Sequence, residues 1–208
     1  MKNQLFRINI ALKPPQNVKN YIVSLSSKLS SMGKAYFILD GKKYSPHITM
    51  FAPVISTDLT DKIKESLKKI TSNIAPIHCK FVRMESHQGY IGAKIALTSQ
   101  MLLLKNNIVA SVNPFIIMEP PLPYKDAQDY QMKFSNQSLE SIRRYGSVAM
   151  RNYTPHITIS RLEDEKEAKK IAQKIIFKID NFIVSSVGLY QMETSGTCVK
   201  LIKEFFLG

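Results

Sequence analysis

Two short stretches of this chain hold residue types that could do chemistry together. Tyr44-Ser45-Pro46-His47-Ile48-Thr49 and Tyr153-Thr154-Pro155-His156-Ile157-Thr158 agree at five of six positions, and the sixth is a Ser to Thr exchange. On a strand, residues two apart share a face, so each copy offers one imidazole beside one hydroxyl, with the isoleucine between them turned to the core. In-line cleavage of a phosphodiester needs a base on the attacking oxygen and an acid on the leaving oxygen, on opposite sides of the phosphorus. Imidazole titrates near neutrality, so one ring can be neutral and the other protonated at one working pH, and the two can exchange roles in a second step. Threonine hydroxyls would donate to the non-bridging oxygens, where negative charge has to be held. His47, Thr49, His156 and Thr158 are therefore the candidate catalytic residues of a phosphoesterase that calls on no metal and no cofactor.

A single His-x-Thr on a strand is usually structural, and it is the duplication that gives the pair its weight. Tyr44 and Tyr153 are candidate substrate-binding residues that could stack on a base or reach a phosphate, although tyrosine is also common at strand edges. Arg161, three residues after Thr158, has two readings, a phosphate or base contact and a solvated arginine. His78 and His87 lack the motif and read as satisfied or exposed histidines. The motifs contain no carboxylate, which makes them a weak donor set for Zn²⁺ or Mg²⁺. The chain has no Gly-x-Gly-x-x-Gly, no phosphate loop and no Cys-x-x-Cys.

The elements that must position the motifs can be read from periodicity. Leu5 to Leu12, closed by Pro14-Pro15, reads as a strand, and Gln16 to Met32 as a helix with Val18, Ile22, Leu25 and Leu29 at helical spacing, ended by Gly33. A short strand over 35–39 leads to the first motif, whose strand should cover 45–51. A helix over 58–72 follows, then a hairpin of 77–85 and 90–97 joined by a Gly-containing turn. Residues 102–112 suit a helix, the proline-rich 114–124 an irregular segment, and 133–145 a further helix. The second motif strand starts at 152 and precedes a helix over 163–175. Strand-like runs over 182–192 and 198–205, with the turn Thr194-Ser195-Gly196 between them, complete the chain. The order motif, helix, hairpin thus occurs twice, 109 residues apart from histidine to histidine. One long-period duplication implies two similar lobes rather than a solenoid. The expected fold class is α+β, a bilobal pseudo-symmetric duplication over 1–208. Each lobe is an antiparallel sheet with outer helices, the active-site groove lies between the lobes, and a lid or specificity insert falls at about 100–151.

Composition narrows the partners. Lys and Arg outnumber Asp and Glu by 29 to 16, a formal charge of +13, which favours polyanions through the summed field. The alternative is a solvated basic surface. With 208 residues, 44% of them hydrophobic, the chain can bury a sizeable core. Cys79 and Cys198 are too few for a disulfide framework and are expected as reduced thiols. The N-terminal stretch is broken by Arg7 and Asn9 and reads as a strand, not a leader, and no run suits a membrane-spanning helix. A soluble, cytoplasmic monomer is expected, with RNA or a short oligonucleotide as its partner, no membrane association and no obligate protein partner.

With its doubled His-Ile-Thr, the sequence resembles the two-histidine (2H) phosphoesterase superfamily, whose hallmark is one His-x-Thr/Ser motif per lobe. That group includes RNA 2',3'-cyclic phosphodiesterases, also called 2'-5' RNA ligases, and 2',5'-oligoadenylate phosphodiesterases. His156-Ile157-Thr158-Ile159-Ser160-Arg161 is similar to the His-x-Thr-Leu-x-Arg form of the bacterial branch. The first motif departs from that branch by continuing as Met50-Phe51-Ala52-Pro53. The resemblance implies a bilobal α+β fold and action on a 2',3'-cyclic or 2'-5' phosphodiester, with His47, Thr49, His156 and Thr158 as the residues carried over. A phosphodiesterase of signalling nucleotides, a non-catalytic RNA-binding module and reversible ligation are the competing readings.

Overall fold

The structure, a computed structural model, describes residues 4–117, 140, 153–193 and 196–208. The helix expected over 133–145 and most of the expected insert lie outside these residues. Ten strands and four helices are assigned among those described. The helices are α1 (Gln16–Ser30), α2 (Thr60–Thr71), α3 (Ser99–Val112) and α4 (Glu165–Lys174). Each buries one stripe: Val18, Ile22 and Leu29 in α1, Ile63 and Leu67 in α2, Met101, Leu104 and Ile108 in α3, and Ala168 and Ile171 in α4. Side-chain caps set two of the starts. Thr98 accepts the Met101 amide at 3.1 Å, so α3 begins three residues before the expected Leu102. Asp164 accepts the amides of Lys166 and Glu167 at 2.8 and 3.0 Å, so α4 starts at Glu165 rather than at 163.

The strands are β1 (Leu5–Leu12), β2 (Ala35–Ile38), β3 (Ile48–Phe51), β4 (Val54–Ser56), β5 (Ile77–His87), β6 (Tyr90–Ile95), β7 (His156–Leu162), β8 (Asn181–Val184), β9 (Ser186–Met192) and β10 (Cys198–Phe206). They form two antiparallel sheets. The first runs β10-β9-β1-β3 with β4 also on β1, and the second runs β2-β7-β6-β5-β8. The strand-like run expected over 182–192 is divided at Ser185. Before that residue β8 pairs with β5 in the second sheet, and after it β9 pairs with β1 in the first.

The pairing shows a repeat framed differently from the sequence order motif, helix, hairpin. Each structural unit is strand, helix, motif strand, helix, strand: β1-α1-β3-α2-β5 and β6-α3-β7-α4-β9. Within a unit the motif strand pairs with its own first strand, β3 with β1 and β7 with β6. The last strand of each unit pairs with the first strand of the other, β5 with β6 and β9 with β1. The first helix also crosses over, with α1 packed on β7 and α3 on β3. Each lobe is therefore assembled from both halves of the chain, and one continuous hydrophobic cluster fastens them. Burial of Ile8, Ile10 and Leu12 on β1 and of Val187 and Leu189 on β9 turns one face of the first sheet to that cluster. The register leaves Asn9, Ala11, Thr49, Gly188 and Tyr190 on its other face.

The β5–β6 hairpin turns on Gln88 and Gly89, at φ 49 and 79, the pair of positive φ values that a two-residue type I' turn requires. A Cβ on Gly89 would also stand 2.3 Å from the Leu162 carbonyl oxygen, whose own amide donates to the Gly89 carbonyl at 2.9 Å. Gly89→Ala is expected to cost about 1–3 kcal/mol, read as a lowered urea midpoint with an unchanged m-value.

Candidate active site

The first motif enters its sheet late. Ser45 makes an isolated bridge to Cys198, Pro46 and His47 precede the ladder, and β3 starts at Ile48. His156, by contrast, is the first residue of β7. Despite this, the two histidines are held alike. The Nδ1 of His47 lies 2.9 Å from the Ser45 carbonyl oxygen, and the Nδ1 of His156 lies 2.9 Å from that of Thr154. A carbonyl oxygen only accepts, so Nδ1 carries the proton in both rings, and Nε2 is the nitrogen left to exchange one. The intervening proline has no N–H and a fixed φ, which presets the bend that brings each carbonyl back to its ring.

Both motif strands also carry one extra residue directly after the threonine. Opposite β1, Ala11 pairs with Thr49 and Ile10 with Phe51, which leaves Met50 unpaired. Opposite β6, Gly92 pairs with Thr158 and Ile91 with Ser160, which leaves Ile159 unpaired. These duplicated bulges have a consequence for Arg161. On a regular strand a residue three past Thr158 would face away from it. After the bulge Arg161 pairs with Tyr90, and Tyr90, Gly92 and Lys94 alternate along β6 opposite Arg161, Thr158 and His156. The guanidinium thus joins the face of the motif. It is 4% exposed and lies between the rings of Tyr36 and Tyr90, 4.7 and 4.6 Å from their centroids, with Nε donating to the Gln88 carbonyl at 3.4 Å.

The two halves of the site meet where β3 packs against β7. The charge of His156 bears on His47 and, after desolvation, is a second influence holding its pKa down. Burial dominates, partly opposed by the bond to Ser45, and His47 is lowered from 6.5 to about 4. Its ring keeps some solvent-facing surface, but the protein packed around it makes a charge there costly. Thr49 has a partner that the motif did not reveal. Asn9, fully buried on β1, donates from Nδ2 to the Thr49 Oγ1 at 3.0 Å, so the threonine's own hydrogen is left to donate elsewhere. Asn9 interrupts the apolar alternation of Leu5 to Leu12, and that interruption was its only signal in the sequence.

The tyrosines of the two motifs both have partners within the protein. Tyr153 is 9% exposed, its hydroxyl donates to the Met50 Sδ at 3.5 Å, and burial raises its pKa. It links the two motif segments through the core. Tyr44 is half-buried and donates to Glu193 at 3.0 Å, with the Lys43 ammonium 4.7 Å from its ring centroid, which ties the first motif to the start of the β9–β10 turn. His78 and His87 are exposed on β5. A cavity of about 480 Å³ between α2 and the end of β10 contains none of the motif residues. Among the described residues no three His, Cys, Asp or Glu side chains cluster, and no helix is long and apolar enough to cross a membrane.

The description "2'-5' RNA ligase superfamily" matches residues 27–196, a span that takes in both motifs. The chain belongs to this superfamily of 2H phosphoesterases. No curated protein matches it in sequence. Among solved structures, TT0787 of Thermus thermophilus aligns at 15% identity and TM-score 0.52, covering 97% of each chain. E. coli LigT in apo form aligns at 12% identity and TM-score 0.55, covering 98% of each. LigT complexed with 3'-AMP gives 12% identity and TM-score 0.56, covering 98% of this chain and 99% of the other. At these identities the likeness is one of fold, and the whole 2H architecture is shared.

The depressed pKa of His47 makes a prediction about this 2H protein's stability. Between pH 6.5 and about 4 the unfolded chain takes up a proton at His47 more readily than the folded one, so stability falls as pH falls through that window. The effect is on the order of 3 kcal/mol. Thermal midpoints measured from neutral pH down to about 4.5 should fall less steeply for His47→Asn than for the parent.

Proposed function

We propose that this chain is a metal-independent phosphodiesterase that opens 2',3'-cyclic or 2'-5' phosphodiester bonds in RNA or short oligonucleotides, with His47 and His156 as the acid–base pair. The observation that carries the reading is the duplicated anchoring of the two imidazoles, each with Nδ1 committed to a backbone carbonyl and Nε2 left for proton transfer. Burial favours the neutral form of His47, so in the empty site it is the ring ready to take a proton from the attacking oxygen. His156 then gives a proton to the leaving ribose oxygen as the phosphorus–oxygen bond breaks, and the transfer leaves each ring poised for the reverse role. Thr49 and Thr158 donate to the non-bridging oxygens, the first steadied by Asn9. Arg161, on the same face and already desolvated between two rings, adds a fixed positive charge to that phosphate site.

The basic balance of the chain, +13, agrees with a nucleic acid substrate. LigT, of similar fold, has been seen complexed with 3'-AMP, which supports a nucleotide ligand here. A phosphodiesterase of signalling nucleotides would use the same four residues with a different base pocket.

The test is turnover in EDTA of a panel comprising a 2',3'-cyclic phosphate RNA end, 2'-5' oligoadenylate, a 3'-5' oligonucleotide and a cyclic dinucleotide. Cleavage of the first two by the parent is expected, with a loss of at least about 10²-fold in His47→Ala and in His156→Ala. Preference for the cyclic dinucleotide would move the assignment to signalling nucleotides. If the parent cleaves nothing and binds RNA as tightly as either variant does, the protein is a binding module instead.

A further inference from the structure

Register across the second sheet arranges side chains of one face in three rows leading away from the motif strand. His156 pairs with Lys94, and Lys94 with Arg83; Thr158 pairs with Gly92, and Gly92 with Glu85; Arg161 pairs with Tyr90, and Tyr90 with His87. At about 4.8 Å per strand, Lys94 stands about 5 Å and Arg83 about 10 Å from the His156 backbone. Beyond the histidine, that row holds only cationic side chains, Lys94 and Arg83. Beside it Gly92 presents no side chain, and a Cβ there would press on the Ile157 carbonyl oxygen at 3.3 Å and stand 3.9 Å from the His156 Cδ2.

The first sheet has a lysine in the related place. Just beyond β1, as Lys94 lies two residues beyond Gly92, stands Lys13, two residues beyond Ala11. Its ammonium is 2.6 Å from Glu204, which in turn accepts from the Ser186 hydroxyl at 2.6 Å. That charge is neutralised within the protein. Lys94 has no carboxylate within ion-pair distance among the described residues, and Arg83 has only an exposed contact with Glu85 at 3.4 Å, a kind of pair worth little in water. Among the described residues, the second sheet alone has in line with its motif histidine a lysine without a carboxylate partner, followed by an arginine whose single ion pair is exposed.

Resting on the phosphodiesterase reading, we infer that the second sheet extends the site into a track for a single-stranded oligonucleotide, with Lys94 and Arg83 binding the phosphates next to the one that reacts. The chain enters or leaves over the second sheet and not over the first. Tyr90 and His87, in the outer row, offer flat groups on the same side as the bases of a strand whose phosphates follow the cationic row. The substrate class is then an oligonucleotide rather than a mononucleotide.

The experiment compares kcat/KM for a nucleoside 2',3'-cyclic phosphate and for a hexanucleotide ending in the same group, using the parent, Lys94→Gln, Arg83→Gln and Lys13→Gln. The parent should favour the hexanucleotide. Lys94→Gln and Arg83→Gln should each lower the ratio of hexanucleotide to mononucleotide by about 3- to 10-fold and reduce the salt slope for the hexanucleotide by about one. Lys13→Gln should leave the ratio where it was. An unchanged ratio in both second-sheet variants, or an equal fall in Lys13→Gln, overturns the track. If the parent cleaves neither substrate, the phosphodiesterase reading fails on its own. Fluorescence anisotropy with the hexanucleotide then decides the track, which weaker binding by the Lys94 and Arg83 variants alone would sustain and unchanged binding would overturn.

Discussion

The bond from each histidine's Nδ1 to the carbonyl two residues before it is the constraint on which the rest of the site depends. It selects one tautomer, points the remaining nitrogen away from the backbone, and does so without any side chain from elsewhere. Such a bond needs a bend directly before the histidine, which the proline supplies, and a strand directly after it, which keeps the ring from swinging. Everything larger serves to bring two such self-contained units face to face. The sheets supply rigid rails, the crossed helices brace each motif strand from behind, and the shared core prevents the two rails from drifting apart.

Two motifs anchored in the same way need not give identical chemistry. His47 sits where desolvation disfavours its charge, and Thr49 leans on a buried asparagine. In the second copy the place across from Thr158 is a glycine, and the lysine beside the histidine has no carboxylate partner among the described residues. A duplicated motif begins with two equivalent imidazoles. In the proposed reaction, a division into proton acceptor and proton donor would come from burial and from the neighbours, which are free to diverge because they lie outside the motif.

Much of this was legible in advance, for reasons that particular residues make plain. The helices α1 and α2 could be read because a three- and four-residue apolar spacing has few other meanings. Both histidines and threonines could be read because a six-residue pattern returned almost unchanged. Other features depended on partners far along the chain. The division of 182–192 at Ser185 follows from which sheet each half joins, and no local propensity records that. The bulges at Met50 and Ile159 are pairing irregularities, so the side on which Arg161 would fall could not be counted from Thr158. Tyr153 could be read either as a ligand contact or as a strand-edge residue, and its packing beside Met50 depends on a partner 103 residues away. Asn9 needed the fold to become meaningful, since its partner Thr49 is 40 residues away.

The exchange of strands between the two units has a meaning for how the molecule comes into being. β1 pairs with β9 from the far end of the order of elements, and β5 and β6 must wait for β7 and β8 before their sheet is complete. Pairings so distant in sequence form late and close long loops. The first sheet is complete only with β9 and β10 and the second only with β8, so neither imidazole has its full seat until strands from the second half of the chain have joined. Before those pairings form, a chain with this topology holds both motifs without being able to bring them together.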